Sequence, residues 1–276
     1  MNQKRKPQKM ILGLLLLLLP IYSFAQDDLS RDANQVRPAY LGIAYGVHHT
    51  NFRDFATSPL WYVGNPFHLS LAHIDLDEKR KSSFQLSYSA GNFKDHSEQS
   101  DATSQVNIFA INYVELFQLP KLSHATFNVK VGGQFNSTAI IRDNPLLGNN
   151  GQGFEVISTV FGAVKGTIAV AKKESRIKSN LALGLNLGLL NSAYRNGFIY
   201  TRQSPLLNQD TITDGYQFHV FSGYRINSII DYTIWLKNKN GVRLSYEWDA
   251  FRTGNEQNEF EMATHLLKLS LMFNLK

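Results

Sequence analysis

An all-β chain closed into an antiparallel transmembrane barrel is the fold this sequence predicts, and three observations predict it. Residues 1–25 read as a secretory signal peptide. The remainder contains no apolar run long enough for a membrane-crossing helix. Stretches of period-two alternation recur from Leu41 to Leu275. Ten strands are expected, with twelve as the alternative if a further strand pair lies within Ile226–Gly241 or a long loop.

The leader comes first in the chain. Lys4, Arg5, Lys6 and Lys9 form a basic front, Met10 to Leu19 an apolar run, and Ser23-Phe24-Ala25 a small-residue site, with cleavage expected after Ala25. About 10 apolar residues is half of what a spanning helix requires, which distinguishes a cleaved signal from an anchor. No Cys follows the site, so no lipid attachment is expected. The expected organisation is a signal peptide at 1–25, a short periplasmic tail at 26–37 and a barrel at 38–276.

Composition removes several function classes. The leader holds four of the 28 basic residues and no acidic one, leaving 24 basic against 22 acidic residues in the mature chain. That near balance gives no electrostatic footprint for nucleic acid. A 43% apolar content excludes disorder, and the absence of Cys excludes a disulfide scaffold or a thiolate metal site. No HExxH, GxSxG, EF-hand or P-loop spacing occurs, so neither metal nor cofactor is expected.

The alternation is clearest at 181–189, where Leu181, Leu183, Leu185, Leu187 and Leu189 interleave with Ala182, Gly184, Asn186 and Gly188. A helix would scatter these leucines around its circumference, whereas a strand places all five on one face. Leu41 to Val47, Phe84 to Ala90, Phe127 to Phe135 and Leu267 to Leu275 repeat the pattern. Less regular versions fall near 66–76, 104–117, 154–171, 214–225 and 242–250. The second face carries mostly Gly, Ser, Asn, Gln and Ala rather than the Lys and Glu of a water-facing sheet. Such a face suits a narrow polar lumen, with the apolar face toward lipid. Hydrocarbon satisfies no backbone N–H or C=O group, so a sheet there must close on itself.

The connections support this reading. Short polar linkers at 77–81, 118–123 and 172–176 alternate with longer ones near 49–65, 94–103, 139–153, 194–213 and 251–262. Short turns on the periplasmic side and longer loops outside are the membrane-barrel asymmetry. Ile226–Gly241 fits less simply. It either extends its flanking strands around an Asn238-Lys239-Asn240-Gly241 turn, or forms a small interfacial helix anchored by Tyr232 and Trp235. Tyr40, Phe67, Phe117, Tyr194, Tyr216, Tyr224 and Trp248 lie near strand ends, where aromatic girdles form.

With the leader, the dyad strands and the amphipathic final segment Leu267–Lys276, the chain resembles a Gram-negative outer-membrane β-barrel over residues 38–276. Its Asn-, Lys- and Tyr-rich style resembles Bacteroidetes proteins. The final strand departs from the common aromatic terminus, ending in Lys276 with Phe273 three residues earlier. The resemblance implies an outer-membrane location and lipid as the surrounding partner.

Three functions are compatible with such a chain. The first is a non-enzymatic accessory or interaction subunit of an envelope complex, presenting its loops or outer wall to another envelope protein. Phe52, Phe55, Trp61 and Tyr62, in the linker 49–65, are its candidate contact surface. The second is a lipid or peptide hydrolase at the extracellular mouth, using a His/Asp or Ser/His pair drawn from His48, His68, Ser70 and Asp249. The third is a narrow small-solute channel. A ten-stranded lumen is narrow enough for side chains to fill, and Arg243, Glu247 and Lys268 are expected to pair across it, with Arg225 and Lys130 on polar faces of other strands.

Overall fold

Antiparallel hydrogen bonding between successive strands carries the chain once around a closed ring. The computed structural model describes residues 37–97, 101–124, 126–170, 178–196, 216–254 and 258–275, so the leader and most of the tail lie outside the described residues. Twelve strands are present among the described residues: β1 (Ala39–Asp54), β2 (Ser58–Gly64), β3 (Phe67–Leu76), β4 (Arg80–Asp95), β5 (Thr103–Gln118), β6 (Phe127–Asp143), β7 (Gln152–Ala169), β8 (Lys178–Asn196), β9 (Tyr216–Val220), β10 (Tyr224–Trp235), β11 (Gly241–Thr253) and β12 (Phe260–Asn274). The ring runs β1-β3-β4-β5-β6-β7-β8-β10-β11-β12 and closes where β12 pairs with β1, Tyr40 opposite Asn274. This is the expected ten-stranded barrel, with β2 and β9 as two extra strands.

Each extra strand continues a ring strand beyond a local break. β2 pairs with β1 and β4 directly above β3, the two being separated by Asn65-Pro66, where proline lacks the N–H a ladder needs. β9 pairs with the top of β8 and is separated from β10 by Phe221, Ser222 and Gly223. Gly223 has φ +72°, and a Cβ there would lie 1.7 Å from the Arg252 carbonyl oxygen, so only glycine fits the break. The segment from Ile226 resolves as β10 followed by the tight turn 236–240, in which Leu236 N–H donates to Asn240 O. No interfacial helix forms there.

Along the strands other than β8, side-chain parity is constant but its polarity changes partway. On β1 the outward residues Ile43, Tyr45 and Val47 are exposed apolar groups, and those beyond are His49, Asn51 and Arg53. Inward, Gly42, Ala44, Gly46 and His48 give way to the buried Phe52. β4 repeats this: Phe84, Leu86 and Tyr88 outside are followed by Asn92 and Lys94, while Ser87 and Ser89 inside are followed by Phe93. The barrel is therefore a lipid-facing band with a polar lumen, extended at its loop end by a water-facing wall around an apolar core.

This inversion corrects two expectations. Residues 49–65 are not a long loop but the top of β1, a three-residue turn and β2. Phe52 and Tyr62 face inward and stack at 5.1 Å, while Phe55 and Trp61 face outward with the Arg53 guanidinium 4.0 and 5.3 Å from their rings. Tyr40 is likewise no girdle residue. It faces inward, buried beside Trp235, Ile74 and Met272 at the turn end.

On β8 the leucine face points outward as expected, Leu183, Leu185, Leu187 and Leu189 all being exposed. A bulge follows: Val160 opposes Leu190 and Phe161 opposes Gly188, leaving Leu189 as the extra residue. Leu189 and Leu190 both point out, and the inward parity moves from even to odd residues, with Asn191, Ala193 and Arg195 buried.

Candidate functional site

Moving down the lumen from the loop end, three layers of side chains meet. The first is an apolar core gathered around the ring: Phe52, Tyr62, Phe93, Val106, Ile140, Ile157, Ala193, Phe251 and Phe260 come from nine different strands of the barrel top. Ions are set inside it. Asp54, at the end of β1 and seven residues beyond the lipid-facing Val47, accepts from Arg142 and, at 2.5 Å, from Arg195 Nη2. Arg142 also donates to Glu155. Asp54 further accepts from the Ala56 N–H and the Thr57 hydroxyl at 3.0 Å each, which fixes the β1–β2 turn. Burial alone would raise the Asp54 pKa, but Arg142 and Arg195 hold it below the ordinary carboxylate range. Both guanidinium groups also lie over the Phe260 ring.

The middle layer contains most of the residues expected to carry chemistry. His48 and His68 do meet, Nε2 to Nδ1 at 3.1 Å, and a third group unmarked in the sequence joins them: Ser89 Oγ lies 3.0 Å from each of these nitrogens. Ser70 lines the cavity below instead. Asp249 is held by Arg225 at 2.6 and 3.0 Å. Arg225 also donates to Thr138 at 3.3 Å. Lys268 pairs with Glu247 at 3.1 Å, and Asn227 donates to the other Glu247 oxygen at 2.9 Å. Arg243 does not join that pair. It donates to Thr233 at 2.9 Å in the layer beneath. The histidines therefore lie under the apolar core rather than at an open mouth, and the adjoining cavity of about 90 Å³ has room for a few waters.

The lowest layer, toward the short turns, surrounds a second cavity of about 90 Å³. Asp231 accepts from Lys165 at 2.5 Å and from Ser245 at 2.7 Å. Lys81 and Arg243 line the same space. No cluster of three or more His, Cys, Asp or Glu side chains with metal-ligand proximity occurs among the described residues.

Outside, the band of apolar side chains is continuous over the ring: Leu69 and Leu71 on β3, Phe109 and Ile111 on β5, Val160 and Val164 on β7, Leu244 on β11, and Leu267, Leu269, Leu271 and Phe273 on β12 are exposed. A water-soluble monomer does not present such a surface, and the ten-strand ring leaves no edge for hydrocarbon to meet. The chain is a closed β-barrel with the apolar exterior of a membrane-spanning barrel. No family model and no curated protein matches it. Among solved structures, the outer-membrane protease OmpT of Escherichia coli is similar at 8% identity and a TM-score of 0.48, over 86% of this chain and 97% of that one. The translocator domain of the autotransporter NalP of Neisseria meningitidis gives 8% and 0.39 over 95% and 97%. An outer-membrane channel of Pseudomonas putida F1 gives 12% and 0.40 over 87% and 97%. A protease, a translocator and a channel assign no common activity, and none is carried to this barrel.

Proposed function

We propose that the exported chain, cleaved after Ala25, is a non-enzymatic barrel that acts as an accessory or interaction subunit of a cell-envelope complex. The observation that carries this is the apolar core at the loop end. Its side chains come from strands on all sides of the ring, so it blocks a solute path and separates the His48–His68–Ser89 group from the mouth. What the barrel offers to the outside is then its wall and rim.

The rim has a patch suited to contact. On β9, the break below it and the start of β10, Phe218, Phe221 and Tyr224 are 64%, 71% and 54% exposed, and Phe218 pairs opposite Tyr194, which lies above the leucine face of β8. Aromatic side chains exposed beyond a lipid band are costly unless something covers them, and they are the residue type that anchors interfaces. Cross-linking in intact cells, followed by mild-detergent purification and mass spectrometry, is expected to recover one reproducible envelope partner that is lost when Phe218 and Phe221 are both changed to Ser. A monomer under every gentle extraction, with no reproducible cross-link, would contradict the proposal.

A further inference from the structure

The charges of the lumen fall into layers, and two of the three are balanced. At the loop end Asp54 and Glu155 face Arg142 and Arg195. In the middle Asp249 faces Arg225, and Glu247 faces Lys268. The lowest layer breaks this rule. Among the described residues, Lys81, Lys165 and Arg243 converge on the single carboxylate of Asp231, and Lys81 neighbours both other cations as well as the acid. Asp231 is already occupied by Lys165 and the Ser245 hydroxyl, and Glu247, which lines the same cavity, is occupied by Lys268.

Like charges gathered in a narrow lumen repel one another and lose hydration, so an unbalanced pair of positive charges requires a counter-charge close by. The space for one is present: the cavity of about 90 Å³ lies among these groups, with the Ser70 and Ser83 hydroxyls on its wall. We infer that the turn-end cavity is a binding site for a small oxyanion such as phosphate, held by Lys81, Lys165 and Arg243 above the periplasmic turns. Arg243 has guanidinium nitrogens beyond the Nε that Thr233 engages, and a guanidinium donates through two parallel N–H groups to the oxygens of an oxyanion. Asp231 sets the orientation of Lys165 and limits the site's charge. The site is independent of the interaction role proposed for the rim, since no residue is shared.

The test is titration of inorganic phosphate into the full barrel refolded in detergent micelles. Chloride holds ionic strength constant, binding is followed by thermal stability and phosphorus NMR line width, and heat-modifiable gel migration verifies folding. Saturable binding is expected in the unmodified barrel, weakened roughly tenfold or more in both Lys81→Met and Arg243→Gln. Lys81→Gln serves where the methionine variant fails to fold. Asp231→Asn removes the acid that competes with phosphate and is expected to bind at least as tightly as the parent. A folded barrel with no saturable phosphate response would overturn the inference. Unchanged affinity in the Lys81 and Arg243 variants would overturn it equally, by placing the phosphate elsewhere.

Discussion

Asp54→Ala is expected to lower the stability of the refolded barrel by about 3–5 kcal/mol, read as a fall in the urea midpoint in detergent or lipid vesicles. Two guanidinium groups that are essentially inaccessible to water lean on this carboxylate, and Arg195 pairs with no other carboxylate among the described residues. Its loss leaves positive charge stranded in an apolar core and unfastens the Ala56 and Thr57 bonds of the β1–β2 turn. Asp249→Ala is expected to cost less, because Asp249 is one-fifth exposed and water replaces part of what Arg225 loses. Equal effects for the two variants would show that the loop-end core is hydrated. Acid acts on the same group. Because the folded pKa is depressed, the stabilisation is complete above the unfolded value of about 3.9 and disappears as pH falls through the folded value. Protection of the residue 55–57 amides, expressed relative to intrinsic exchange at each pH, is expected to fall in that acid window and to stay constant between pH 5 and 8.

Two single-residue deletions within β8, only four positions apart, are expected to differ sharply. Removing Leu189 erases the bulge and joins the lower leucine face to the upper segment with every side chain still on its own side, so the barrel is expected to fold and keep its heat-modifiable migration. Removing Leu185 shifts one part of the strand by one residue against β7 and β10. Either Leu181 and Leu183 turn into the lumen while Ala182 and Gly184 face lipid, or Asn186 and everything above it inverts. That variant is expected not to fold into membranes at all. Similar yields of the two deletions would mean that the β8 register is not set by its faces.

The lower half of this barrel was legible in the sequence because the membrane enforces one rule along each strand, apolar out and small or polar in. Leu181 to Leu189 and Leu267 to Leu275 state it plainly. The upper half obeys the opposite rule, without changing parity except at the β8 bulge. Around His48 to Phe52 the apolar residues move to the inward face, and the two patterns superposed read as a loss of alternation, which is why 49–65 resembled a loop. The lumen charges were visible as residues on a polar face, and Lys268 with Glu247 follows from adjacent strands. Arg225 with Asp249 is likewise a diagonal pair on adjacent strands, β10 and β11, whereas Arg142–Asp54 joins β6 to β1 across the lumen, which no local spacing encodes. Ser89 had no signal of its own. It is one of three serines alternating along β4, and only its placement beside β3 brings it to the two histidines.

Everything rests on lipid covering the odd-numbered face of β8 below its bulge. The chain has no native cysteine, so single cysteines at each of residues 181–192 can carry a nitroxide without background labelling. In reconstituted vesicles, collision with oxygen is expected to peak at 181, 183, 185, 187 and 189, to stay high at 190, and then to resume alternation in the opposite phase with 191 low and 192 high. A uniform profile, or odd positions reached more readily by a water-soluble relaxant than by oxygen, would contradict the lipid-facing barrel.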